Sequence, residues 1–201
     1  MTVHPVRVLR TVRQSAAAYL VHGDPMTHAC NVIAIVVVAN QPFYPLYVYW
    51  LVGHAVAPTL LTFLSTPFFA AVPLLARHRP RWGRALLALA GMANTVLATK
   101  IFGQASGVEL FLMPCVLIAA AFFRPSERAF ALGLLAIAAG IFFGLDGRYG
   151  VPICRCSMED DQALRVLHAL SAGILVVFIG FMLSTVASRA QEVEPVHRVA
   201  R

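Results

Sequence analysis

The apolar and polar positions of the chain fall into long apolar runs separated by short basic or glycine-proline breaks. Residues 25–76 contain no Asp, Glu, Lys or Arg, and shorter charge-free runs follow at 85–99, 110–123, 129–145 and 166–188. A soluble domain of this size cannot bury so much apolar surface. About 20 apolar residues in a helix, by contrast, cross the roughly 30 Å of a bilayer's hydrocarbon. The pattern predicts helices over 28–53, 57–76, 83–101, 107–123, 129–145 and 163–187. The longest run needs two of them, and Gly53-His54-Ala55-Val56-Ala57-Pro58 marks the turn between. The expected fold class is all-α, an integral membrane bundle of six transmembrane helices over 25–187, with a basic segment at 1–24 and a tail at 188–201.

Orientation follows from the basic residues. Six crossings put the N-terminus, the loop 77–84, the loop 124–128 and the tail on one side. Those segments hold Arg7, Arg10, Arg13, Arg77, Arg79, Arg81, Arg84, Arg124, Arg128, Arg189, Arg198 and Arg201. The other side holds only Lys100, Arg148, Arg155 and Arg165, and its loop 146–162 also carries Glu159-Asp160-Asp161. Cytoplasmic loops collect Lys and Arg, so both termini are expected in the cytoplasm. Arg7, Arg10 and Arg13 recur every third residue beside Val6, Leu9 and Val12, which reads either as a short helix in the membrane interface or as a disordered basic tail.

Composition sharpens this picture in one respect. The chain is 59% hydrophobic and 12% charged with a formal net charge of +7. A net charge of that size on a soluble chain would raise nucleic acid as a partner. Here the arginines cluster between apolar runs, as anchors at an anionic leaflet do, and no nucleic acid is expected.

Function is sought where polar groups interrupt the apolar runs. In the first predicted helix stands Asn40-Gln41-Pro42-Phe43-Tyr44-Pro45-Leu46-Tyr47. Each proline removes a backbone donor and kinks the helix, so Asn40, Gln41, Tyr44 and Tyr47 meet freed carbonyls at mid-membrane. Such broken helices line binding cavities, or are satisfied by neighbouring helices with the amides as interhelical bonds. Pro42 is expected to turn Asn40 and Gln41 into a cavity shared with Asn94 of the third helix. Glu109, after the polar turn Gly103-Gln104-Ala105-Ser106-Gly107, is placed either among headgroups paired with Lys100 or facing the bundle interior. His168 lies about a turn and a half inside the sixth helix. With Cys154 and Cys156 it raises a soft-metal or haem site, for which His54 would be a second axial candidate, but a closed zinc site needs two further ligands, and the preferred reading is a hydrogen-bonded structural histidine without haem. No metal ligand, cofactor or catalytic residue is assigned. A disulfide across Cys154-Arg155-Cys156 would be strained, leaving free thiols or an intermolecular bridge. Gly140-Ile141-Phe142-Phe143-Gly144 and Ala169 with Gly173 are small-residue pairs that permit close helix approach. No phosphate-binding glycine loop, HExxH or GxSxG motif is present.

The run Asn40-Gln41-Pro42-Phe43-Tyr44-Pro45-Leu46-Tyr47-Val48-Tyr49-Trp50 resembles the polar-proline-aromatic stretch in the first helix of a bacterial six-helix membrane sensor domain. Such domains form the N-terminal membrane regions of quorum-sensing histidine kinases and of some class III adenylate cyclases. Gly107–Cys115 and Phe122–Arg128 are similar to the fourth helix and following inner loop of those domains, so the resemblance covers about 26–187. It implies a multi-pass receptor in the bacterial inner membrane, taking a small apolar or amphiphilic signal near the first-helix kink. The ligand-binding residues would be Asn40, Gln41, Tyr44, Tyr47, Asn94, Glu109 and His168. About 14 residues follow the sixth helix, too few for a kinase or cyclase, so either the sequence is a piece of a longer protein or signal transduction would pass through a kinase or cyclase partner. Membrane lipid and a second copy of the chain are the other expected partners. The alternative is a small membrane enzyme or transporter that uses Glu109, His168 and the Cys154/Cys156 pair.

Overall fold

The computed structural model describes residues 19–53 and 56–199, with side chains over 19–53 and 57–189. Arg7, Arg10, Arg13, His54 and Arg201 lie outside these residues, as does the side chain of Arg198. Every regular element among the described residues is helical.

Helix α1, Pro25–Asn40, opens on Asp24, whose carboxylate accepts from the Thr27 amide while Pro25 takes the first turn. An acidic N-cap followed by proline is a strong start signal, which is why the helix begins ahead of the predicted 28. At Gln41–Phe43 the helix tightens into a single 3-10 turn, and α2 continues over Tyr44–Val52. Proline at 42 and 45 denies the α-pattern its donors there, so the expected break is present. Gly53, at φ 71, ends α2 in the left-handed region that glycine adopts without penalty.

A short α3, Val56–Thr59, leads through a 3-10 segment at Leu60–Ser65 into α4, Thr66–His78. Helix α5, Pro80–Phe102, is the most buried of the long helices and forms the axis of the bundle. Two glycines let its neighbours close on it. A Cβ on Gly83 would stand 2.6 Å from the Ala76 Cβ of α4, and one on Gly91 would stand 2.6 Å from Cys115 Sγ. The glycine pair at 140 and 144, and Gly173, meet nothing within 4 Å, so the close approach those motifs permit does not occur among the described residues. Local spacing permits an approach, but the tertiary neighbour decides whether it happens.

The fourth predicted helix, 107–123, is shorter than expected. A 3-10 turn at Val108–Phe111 precedes α6, Leu112–Ala121. Gly107 starts this segment in the left-handed region, and Arg124, extended ahead of Pro125, closes it. Helix α7 covers Arg128–Gly144. The last helix, α8, runs Met158–Val199, well beyond the expected 163–187. Its start is fixed by a reciprocal cap: Ser157 Oγ accepts from the Asp160 amide, and the Asp160 carboxylate accepts from the Ser157 amide. Three acidic residues in the first turn add favourable charge at the positive end of the helix dipole.

Among the described residues five helical stretches are long and apolar enough to cross a membrane: Pro25–Val52, Ala57–His78, Pro80–Phe102, Pro125–Gly144 and Met158–Arg189. The sixth apolar stretch, Val108–Ala121, is shorter. Large apolar side chains, among them Leu46, Trp50, Phe143, Leu170, Ile174 and Phe181, stand exposed around the outside. Such a surface is far larger than the apolar patches of soluble proteins and matches lipid. The chain therefore has the make-up of an integral membrane protein.

Two apolar clusters fill the interior. The larger joins α1, α4, α5, α6, α7 and α8 around Ile33, Val72, Leu87, Met92, Ile118 and Ile179. The smaller, around Val48, Ile101, Phe102, Cys154 and Leu164, underlies the other end.

Candidate functional site

The polar residues gather at three levels of the bundle. At one end Arg84, one turn inside α5, is 2% exposed. One terminal nitrogen donates to Asp24 Oδ2 at 2.9 Å and to Thr27 Oγ1 at 2.7 Å. The other forks onto both oxygens of Glu127 at 2.8 and 2.7 Å. Arg124 closes the group, donating to Asp24 Oδ1 at 3.0 Å from its side chain and to Glu127 Oε2 at 3.0 Å from its backbone. The Arg84 guanidinium also lies 5.5 Å from the Phe123 ring centroid. Burial raises the Asp24 carboxyl, but hydrogen bonds from Thr27 and Arg124 and the charge of Arg84 outweigh it, holding the group below the ordinary carboxylate range. Sequence reading placed Arg84 among the loop anchors. Its partners lie 60 and 43 residues away, and the only local sign was a charge at the very start of an apolar run.

At the opposite end His168 is fully buried. Its Nδ1 lies 2.8 Å from the Ser106 carbonyl and its Nε2 lies 2.8 Å from the Tyr44 hydroxyl. A carbonyl only accepts, so Nδ1 carries the hydrogen, and in the neutral ring Nε2 accepts from Tyr44. Phe102 and Phe111 pack around the imidazole. Both ring nitrogens are thus engaged by protein, and no metal or haem position is left on this histidine. Among the described residues no group of three His, Cys, Asp or Glu side chains comes together as a metal set.

Cys154 and Cys156 face each other with Sγ atoms 3.1 Å apart, and both are free thiols, one of the states the sequence left open. Burial, then the hydrogen bond and charge of Cys154 and the charges of Asp161 and Asp160, push the Cys156 thiol up to about 12. A thiol held protonated in this way is a poor nucleophile and metal ligand at neutral pH.

Glu109 is not paired with Lys100. The Lys100 ammonium donates to the carbonyls of Tyr149 and Val151, both at 2.9 Å. Glu109 accepts from Gln104 Nε2 at 3.2 Å, and the same amide nitrogen donates to Asp146 at 2.9 Å. The other end of that amide accepts from the Gly147 backbone. Gln104 thus ties the 146–147 loop to the start of the α6 segment.

Between these ends lies a cleft of about 360 Å3, walled by Leu64, Ser65 and Phe68 on one side and by Leu86, Leu89, Ala90, Ala93, Asn94 and Leu97 of α5 on the other. Leu64, Phe68 and Leu89 are exposed, so the cleft lies on the outer, lipid side of the bundle. Asn94 Oδ1 is buried with no hydrogen-bond partner among the described residues. Ser65 is bound from behind by Gln41, whose Nε2 donates to Ser65 Oγ at 2.7 Å and whose Oε1 accepts from Thr66 at 2.6 Å.

The seven residues singled out from sequence therefore do not form one constellation. Tyr44 and His168 bond directly. Gln41 reaches the cleft of Asn94 through Ser65. Asn40 and Tyr47 are exposed on the outer face, away from these groups, so Asn40 does not join Gln41 in a shared cavity. Glu109 belongs to the Gln104 network. The supporting residues Ser65, Ser106 and Gln104 were missed, because nothing in a short polar turn tells which distant side chain it will meet. No protein-family model and no curated protein matches this chain.

Proposed function

We propose that the chain is a membrane ligand-binding domain that takes a small apolar or amphiphilic molecule from the bilayer into the cleft beside Asn94. One observation carries this reading. The cleft is almost entirely apolar, has a volume within the roughly 300–1,000 Å3 range of small-molecule sites, and is lined by Asn94, whose amide oxygen is buried without a partner among the described residues. An amphiphile has the matching form, an apolar body with one polar group. A turn of the Asn94 amide offers that group either a donor or an acceptor. An unpaired amide costs several kcal/mol in hydrocarbon, so a ligand that meets it gains what the empty cleft lacks.

The wider setting is part of the same reading. The chain crosses the bacterial inner membrane six times with the Arg84 end in the cytoplasm. In its support, Asp24, Arg84 and Arg124 come from three basic segments and meet at one end. Lys100, Gln104, Asp146, Tyr149 and Arg165 meet at the other. The shorter α6 segment crosses with help from its 3-10 turn, which rises about 2.0 Å per residue. Helix α8, at about 1.5 Å per residue, is about 63 Å long, twice the hydrocarbon thickness. It is a stiff route by which occupancy could reach a cytoplasmic kinase or cyclase partner, and this is the receptor-like role that the resemblance implies. The enzyme or transporter reading finds less support, since His168 has both nitrogens occupied and Cys156 is held protonated.

Native mass spectrometry of protein extracted in mild detergent tests the proposal. A retained small amphiphile is expected on the unaltered chain. It should be lost when Ala93→Phe fills the cleft and weakened by Asn94→Leu. Retention unchanged by Ala93→Phe, or no retained mass at all, contradicts the reading.

A further inference from the structure

A second cavity, of about 400 Å3, opens at the arginine-rich end. It is lined by Arg79, Arg81, Arg84 and Arg124 together with Asp24 and Glu127, and its wall includes Pro80 and Trp82. Both carboxylates are already used. Asp24 serves Arg84, Thr27 and Arg124, and Glu127 serves Arg84 and the Arg124 amide. Arg79 and Arg81 have no acidic partner among the described residues. The cavity thus holds two more positive charges than its acids neutralise.

Arg81 is also held in place. Its guanidinium carbon lies 5.1 Å from the Phe130 ring centroid and 5.9 Å from that of Trp82. Stacking occupies the faces of the guanidinium and leaves its in-plane N–H donors free. The fork those donors form suits two oxygens of one tetrahedral anion. Trp82 is exposed beside the start of α5, as an aromatic side chain at headgroup level is.

We propose that this cavity binds a phosphate-bearing anion, with Arg79 and Arg81 donating to its oxygens and the charge-balanced Arg84–Arg124 group as the fixed wall behind it. The source is either the headgroup of an anionic phospholipid or a soluble phosphate. The site is separate from the Asn94 cleft and does not depend on it.

Trp82 is a built-in reporter, and Trp50→Phe removes the other tryptophan. The full chain carrying Trp50→Phe is placed in phosphatidylcholine nanodiscs and in discs with increasing phosphatidylglycerol. Inorganic phosphate is titrated into the phosphatidylcholine discs. A saturable shift of Trp82 emission with phosphatidylglycerol assigns the site to lipid, and a saturable shift with inorganic phosphate assigns it to a soluble anion. Adding Arg79→Gln and Arg81→Gln together should weaken either response roughly tenfold or more. Arg128→Gln with Arg189→Gln removes two exposed arginines outside the cavity and should leave the response nearly unchanged. Single Arg79→Gln and Arg81→Gln variants, each expected to give part of the loss, serve if the double variant fails to fold. The proposal is overturned if neither anion shifts Trp82, or if the two arginine pairs weaken the response equally.

Discussion

Arg84 is the residue on which the packing at one end depends. Its charge is 2% exposed and balanced by Asp24 and Glu127, so replacing it leaves Glu127 without its side-chain cation and Asp24 with only the exposed Arg124, in a poorly solvated place. Breaking a buried ion pair by removing one partner typically costs about 3–5 kcal/mol. Arg84→Ala should therefore lower the thermal midpoint in detergent steeply. Arg124→Ala, which removes a 58% exposed partner, should cost no more than about 1 kcal/mol. The same group predicts a pH dependence. Asp24 titrates below its ordinary value, so its contribution is fully present above the unfolded pKa of about 3.9 and is lost as pH falls through the depressed folded value. Melting curves should be insensitive to this group from neutral pH down to about 5 and should fall below about 4. A stability that rises on acidification would contradict it. At the other end, Tyr44→Phe removes the hydroxyl at His168 Nε2 and should cost about 1–3 kcal/mol, because the ring nitrogen is then buried without a donor.

Among the helices, small residues matter only where a neighbour is present. Gly83→Ala places a Cβ against the Ala76 Cβ and backbone, so α4 and α5 must part, at a cost of about 1–3 kcal/mol. Gly140→Ala and Gly144→Ala meet nothing within 4 Å and should be neutral or stabilising by up to about 1 kcal/mol through helix propensity. Comparing the three melting midpoints in one detergent checks this. The contrast also marks what the sequence could reveal. The break at Pro42 and Pro45 and the start at Asp24-Pro25 are local chemistry and were readable, or would have been from the cap residues. The Ser157–Asp160 cap that begins α8 was equally local and was overlooked. Glycine spacing was misleading, since 140/144 has the better motif while 83 and 91 make the contacts. His168 stood out as a lone histidine in an apolar run, but Ser106 and Tyr44, its partners 62 and 124 residues away, carry no mark of that pairing. The Asn94 cleft was only half visible, because its far wall depends on how the 3-10 segment at Leu60–Ser65 packs against α5.

For the whole molecule, the apolar exterior and the separation of charged groups to the two ends make sense together only in a bilayer. The cleft beside Asn94 would then open to lipid and the arginine cavity to the cytoplasmic headgroups. Both assignments depend on the two ends lying on opposite sides of the membrane. Reporter fusions that read compartment, placed at Arg79, Ala105, Arg124 and Asp160, measure that directly. Arg79 and Arg124 should report the cytoplasm, and Ala105 and Asp160 the opposite side. A single compartment at all four positions, or Ala105 reporting with Arg79, would contradict the six-crossing bundle.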